Sequence, residues 1–128
     1  MERVTGIGGI FLKARDPRAL SAWYREHLGV PIEEGQTYGV FTAGAAGGGP
    51  EHTVWSAFPA DTTYFAPSAA PFMVNYRVAD LDRMLAQLRA AGAAVDERVE
   101  ALEYGRFGWA SDPEGNRFEL WEPAGASF

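Results

Sequence analysis

The chain states one pattern twice, and that repetition limits its fold more than any other feature. The first copy, "GIGGIFLKARDPRALSAWYREHLGV", reads as a strand followed by a helix. Asp16 stands where a helix N-cap is wanted, and Pro17 occupies the first helical position, where its missing N–H costs nothing. Leu20, Trp23, Tyr24, His27 and Leu28 follow at helical spacing, and Gly29 is placed to end the helix in a left-handed conformation. The second copy, "PFMVNYRVADLDRMLAQLRAAGAAV", repeats the order. Asp80 caps it, Leu81, Met84, Leu85 and Leu88 form the stripe, and Gly92 stops it. Aligning Asp16 with Asp80 pairs Lys13 with Arg77, Phe11 with Asn75, and Gly9 with Met73. Downstream, "YGVFTAG" from Tyr38 echoes "YGRFGWA" from Tyr104, and "TVWSAFP" ending at Pro59 echoes "RFELWEP" ending at Pro123.

An internal duplication of strand, helix and three shorter strands follows. The expected architecture is α+β: one domain over residues 1–128, built from a βαβββ module at 1–63 and a second at 70–128. Between them "ADTTYFAPSAAP" reads as a connector carrying aromatic residues. "AGAAGGGPE", Ala43 to Glu51, reads as a glycine-loosened hairpin loop.

Totals exclude several classes. No apolar run approaches the roughly 20 residues of a membrane span, and no charged-then-apolar leader opens the chain, so a cytoplasmic protein is expected. The chain has no cysteine, which removes disulfides and thiolate metal sites. A net charge of −6 argues against nucleic acid as a partner, since binding a polyanion needs a basic surface.

The doubled βαβββ pattern, "RDP" and "DLD" opening the helices and "DPEGNRFEL" near the end together resemble the vicinal oxygen chelate superfamily. That group includes glyoxalase I, extradiol dioxygenases, methylmalonyl-CoA epimerase and the fosfomycin- and bleomycin-resistance proteins. The resemblance implies a curved mixed sheet enclosing a cleft, with helices packed outside. It also implies, for metal-dependent members, a ligand from His, Glu or Gln on the first and last strand of each module.

Strand alternation sorts the faces. Met73, Asn75 and Arg77 are expected to face the cleft, with Phe72, Val74, Tyr76 and Val78 behind. By the duplication Gly9, Phe11 and Lys13 also face it. Arg117, Glu119 and Trp121 look inward on the last strand, and Thr53, Trp55 and Ala57 on its counterpart, leaving Val54 and Phe58 behind. The four ligand places then hold Gly9, Trp55, Met73 and Glu119, and only Glu119 can bind a cation of the usual catalytic kind. His27 reads as a core histidine on the first helix, and His52 shares a face with Val54.

No metal is therefore expected. Glu119 reads as a buried paired carboxylate, with Lys13 or Arg77 as partner, or as a general base raised by an apolar setting. Lys13 and Arg77 could hold a ligand anion or simply pair with acids. Phe11, Trp55, Tyr104 and Trp121 read as cleft aromatics, against the alternative of plain core or dimer interface, as do Tyr38, Tyr64 and Phe65. The expected function is binding of a small organic molecule, aromatic or anionic, with Phe11, Trp55 and Trp121 around its apolar part. Lys13, Asn75, Arg77 and Glu119 would orient its polar groups. The alternative is an enzyme: metal-dependent lyase, isomerase or dioxygenase through a divalent ion on Glu119 and His52, or metal-free proton transfer by Glu119. The resemblance also implies a homodimer.

Overall fold

The computed structural model describes residues 1–44 and 50–124. Ten elements follow in chain order: β1 (Val4–Ala14), α1 (Pro17–Leu28), β2 (Tyr38–Gly44), β3 (Pro50–Pro59), β4 (Phe72–Val78), α2 (Leu81–Ala90), β5 (Ala94–Val95), β6 (Glu100–Leu102), β7 (Gly105–Ser111) and β8 (Arg117–Pro123). The expected Ala43–Glu51 loop falls largely outside the described residues.

Both helices begin as their cap chemistry dictates. The Asp16 side chain accepts from Ala19 N–H and that of Asp80 from Arg83 N–H, each satisfying a donor the first turn leaves open. Gly29 closes α1 at φ 68°, a conformation that a side chain would strain. The stripe on α2 is buried as its spacing implied, through Leu81, Met84 and Leu85. On α1 the buried face is rotated: Ser21 is fully covered, its hydroxyl donating to Pro17 O at 2.6 Å, and Leu20 and Tyr24 are partly covered. Trp23, His27 and Leu28 are exposed, and His27 packs on Trp23 rather than in a core. Leu20 and Tyr24 are the α1 side chains that pack on Ala14, Val30, Ile32, Trp55 and Ala57.

The strands form one curved eight-stranded sheet in the order β2-β3-β1-β4-β8-β7-β5, with β6 pairing β7. Its two halves repeat each other. β1 lies parallel to β3 as β4 lies parallel to β8, and β2 runs antiparallel to β3 as β7 does to β8. The halves join where β1 and β4 run antiparallel. In the first half the strand matching β5 shrinks to a single bridge, Ile32 to Gly39.

The ladders correct the register read from the sequence. Phe11 pairs with Ser56, and its counterpart Asn75 pairs with Glu119, so Ser56 and not Trp55 answers Glu119. Aligning the two terminal prolines had set β3 one residue out. Accordingly Val54 and Phe58 turn to the concave face, while Trp55 and Ala57 pack behind with Ala14, Val30 and Ile32 against Leu20 and Tyr24 of α1. The Trp55 ring lies 4.8 Å from that of Tyr24. Likewise Tyr38 pairs with Ser56 and Trp109 with Glu119, so Tyr38 answers Trp109 and the two similar heptapeptides are out of step.

Behind the second half, Val78, Leu81, Met84, Leu85 and Leu120 form the α2 core, with Tyr76 and Phe118 beside them. Phe72, expected there, is exposed because it precedes the stretch that α2 covers. On the concave side Phe11, Phe65, Met73, Phe107, Trp109 and Trp121 cluster, joined by Val54, Phe58 and Tyr64.

Candidate functional site

The concave face encloses a cavity of about 420 Å³. Its walls are aromatic. Phe11 comes from β1, Phe58 from β3, Phe107 and Trp109 from β7, Trp121 from β8, and Tyr64 from the connector. Phe107 and Trp121 stack nearly parallel at 6.0 Å, and Phe58 stacks on Tyr64 at 5.3 Å. The indole N–H of Trp121 donates to Tyr104 O at 3.0 Å, which leaves the ring's apolar body for the cavity. Tyr38, Leu102 and Tyr104, all substantially exposed, mark the mouth, and Glu100 stands beside them.

At the inner end sits Glu119, 1% exposed. Burying a carboxylate is costly unless donors surround it, and here three do. The Tyr64 hydroxyl and the Trp109 indole N–H (2.9 Å) donate to Oε2, and the Asn75 amide donates to Oε1 at 2.6 Å. Burial pushes the Glu119 carboxyl above the usual carboxylate range, against the opposing pull of those donors. Burial and the neighbouring acid push the Tyr64 phenol well above its ordinary value, so it remains a donor. Asn75 is 2% exposed, and its Oδ1 has no hydrogen-bond partner among the described residues.

Of the expected site residues, the structure gathers Phe11, Asn75, Tyr104, Glu119 and Trp121 around the cavity. Three are elsewhere. Trp55 faces α1, as above. Lys13 sits near the rim of β1 with its ammonium 5.4 Å from the Phe65 ring centroid, and it is absent from the cavity wall. Arg77 is on the cleft face as expected but is used as a strap. Its Nη1 donates to Ile7 O (2.7 Å) and His52 O (2.6 Å), and Nη2 pairs with Glu51 at 3.0 Å. Gly6 makes this possible, since a Cβ there would lie 2.3 Å from Arg77 Nη2. Neither cation pairs with Glu119; neutral donors do that work. Arg77→Met is expected to cost about 2–4 kcal/mol, because it strands two carbonyls that the guanidinium serves, each worth about 1–3 kcal/mol when buried unpaired. Urea unfolding at unchanged slope measures it.

The sequence leaves Tyr64 between pocket and core and gives no sign of Trp109. Tyr64 lies in a segment read as a connector. Trp109 was obscured by the false echo between Tyr38 and Tyr104.

The metal that the fold implies can be tested against these side chains. The places answering one another hold Glu119 and Ser56 on the last strands, and Gly9 and Met73 on the first. No group of three His, Cys, Asp or Glu among the described residues lies within reach of one ion. His52, whose Nδ1 bonds Thr42 at 3.0 Å, is not in the wall with Glu119. Glu119 itself faces N–H and O–H dipoles that suit an anion's neighbour, not a cation. The donor set does not fit a divalent ion.

A glyoxalase-like domain model matches residues 9–121, nearly all of this sheet and both helices. The chain belongs to the glyoxalase-like domain family. Solved structures agree on the fold. Methylmalonyl-CoA epimerase from Mycobacterium tuberculosis matches at 24% identity and TM-score 0.62, over 94% of this chain and 89% of that one. A variant of the Streptomyces coelicolor epimerase in complex with 2-nitronate-propionyl-CoA matches at 18% and 0.71, over 97% and 98%. A glyoxalase/bleomycin resistance protein/dioxygenase superfamily member from Vibrio splendidus 12B01 matches at 13% and 0.58, over 95% and 99%. No curated protein sequence matches the chain. At these identities the likeness carries the glyoxalase-like fold and not a reaction. Among the described residues, no helix is long and apolar enough to cross a membrane.

Proposed function

We propose that this glyoxalase-like chain binds a small organic molecule in the aromatic cavity and that its ancestral metal site has degenerated. The observation that carries this reading is the state of Glu119. Three donors already occupy its carboxyl group, its quasi-symmetric place holds Ser56, and the surrounding wall is aromatic. A cavity near 420 Å³ sits at the small end of the roughly 300–1,000 Å³ usual for ligand sites. The catalytic alternative needs Glu119 as a base within reach of substrate. A carboxyl 1% exposed and held at both oxygens is built to organise the pocket floor. The expected homodimer is tested by sedimentation equilibrium.

Two measurements test the reading. Added Ni²⁺, Zn²⁺, Mn²⁺ or Fe²⁺ is expected to leave the melting temperature unchanged; a saturable rise with one of them would restore a metal to the site. Small aromatic compounds are expected to quench tryptophan fluorescence. That quenching should weaken in Trp121→Phe and persist in Trp55→Phe, because Trp55 lies behind the sheet. The opposite pattern would misplace the pocket.

A further inference from the structure

We propose that the cavity selects a small aromatic molecule bearing a protonated nitrogen, its ring between the aromatic walls, an N–H on Asn75 Oδ1 and its charge near the floor acid Glu119 and the mouth acid Glu100. This rests on the binding reading above and adds the ligand's charge. The wall contains no Lys, Arg or His and two carboxylates, Glu100 and Glu119. An anion would meet those acids with no cation in the wall itself; Glu100 is paired at the mouth with Arg98, and Glu119 has no salt bridge among the described residues. Independently, Asn75 Oδ1 is a buried acceptor with nothing donating to it among the described residues. Its orientation follows from chemistry: a carboxylate only accepts, so Nδ2 must turn to Glu119, which leaves the carbonyl on the other side. Beside that carbonyl is Gly8, also in the wall, where a Cβ would stand 2.1 Å from Oδ1. Any side chain at that position would collide with this oxygen. A neutral aromatic hydrocarbon would fill the walls and leave this oxygen unmatched, whereas an ammonium serves the oxygen, the acid and the ring faces together.

The nearby cations are spoken for. Arg98 and Arg117 lie over the Trp109 ring at 4.5 and 5.5 Å, and they pair with Glu100 at 3.8 Å and Asp96 at 3.3 Å. Neither is in the cavity wall.

Three probes of one shape test the charge: 1-naphthylmethylammonium, 1-naphthylmethanol and 1-naphthoate, by titration calorimetry at neutral pH. The ammonium is expected to bind at least tenfold tighter than the alcohol, with the carboxylate weakest. Glu119→Gln should bring ammonium and alcohol within about threefold of each other, and Glu100→Gln should narrow the gap by a smaller factor. Glu100 stands at the half-exposed mouth, so its variant keeps the test alive if the other does not fold. Equal binding of ammonium and alcohol, tighter naphthoate binding, or a preference untouched in the folded variants would overturn the charge assignment and leave the cavity as a binding site. Failure of all three probes to bind the folded protein would overturn the binding reading itself.

Discussion

Glu119→Leu is expected to lower the unfolding free energy by about 3–5 kcal/mol, and Glu119→Gln to change it little. Leucine fills a similar volume but accepts nothing, so the Tyr64 hydroxyl, the Trp109 N–H and the Asn75 amide all lose their partner in a site 1% exposed. Each stranded donor costs about 1–3 kcal/mol, and partial relaxation keeps the sum below the total. Glutamine keeps an oxygen for Tyr64 and Trp109. Its new amide can donate to Asn75 once that side chain turns its unpartnered Oδ1 round. The pair of variants therefore separates acceptor chemistry from charge. Charge itself shows in the pH dependence. The folded Glu119 holds its proton more tightly than the unfolded chain does, because burial disfavours the anion. Its stabilising contribution is fully present below the ordinary carboxylate range and falls as pH rises through the raised folded value. Subtracting the Glu119→Gln stability profile from the parent's should reveal that decline. A difference that rises with pH would mean that the three donors outweigh burial.

Trp109→Ala is the second large effect, at about 3–5 kcal/mol for removing a buried tryptophan. The side chain is 1% exposed, meets Tyr64 edge-on at 6.2 Å and carries Arg98 and Arg117 on its ring. Its loss opens the cavity floor and takes one donor from Glu119 at once. Trp109→Phe keeps most of the packing and removes the N–H, so it should cost about 1–2 kcal/mol and move the Glu119 carboxyl further upward. Chemical unfolding gives both energies, and carboxyl-resolved NMR titration gives the shift. A Trp109→Phe protein with Glu119 unmoved would show that the indole bond is not felt by the acid.

The fold was legible because capping and duplication are local signals. Asp16, Pro17 and Gly29, then Asp80, mark both helices without reference to anything distant. The second half of the site was equally legible: Asn75 and Glu119 are polar residues alternating with apolar ones, and a strand has only two faces. The first half was not. "TVWSAF" has Val54 and Phe58 on one face and Trp55 and Ala57 on the other, so alternation gives no contrast, and the stretch before it could not fix the count. The roles of the two cations are hidden for another reason. Lys13 and Arg77 have the right parity, but parity does not say how far along the cleft a long side chain reaches or which carbonyl holds it. Tyr64 was beyond reach of any periodicity, since it belongs to no strand.

Tyr64 also has a consequence for symmetry. Doubling a module should yield two equal poles, one acid-like place in each half. Ser56 and Glu119 break the tie, and the connector sharpens it by lending the Tyr64 phenol to the Glu119 side. The seam thus gives the chamber two unlike ends, a buried acid at one and the exposed rings of Tyr38 and Tyr104 at the other.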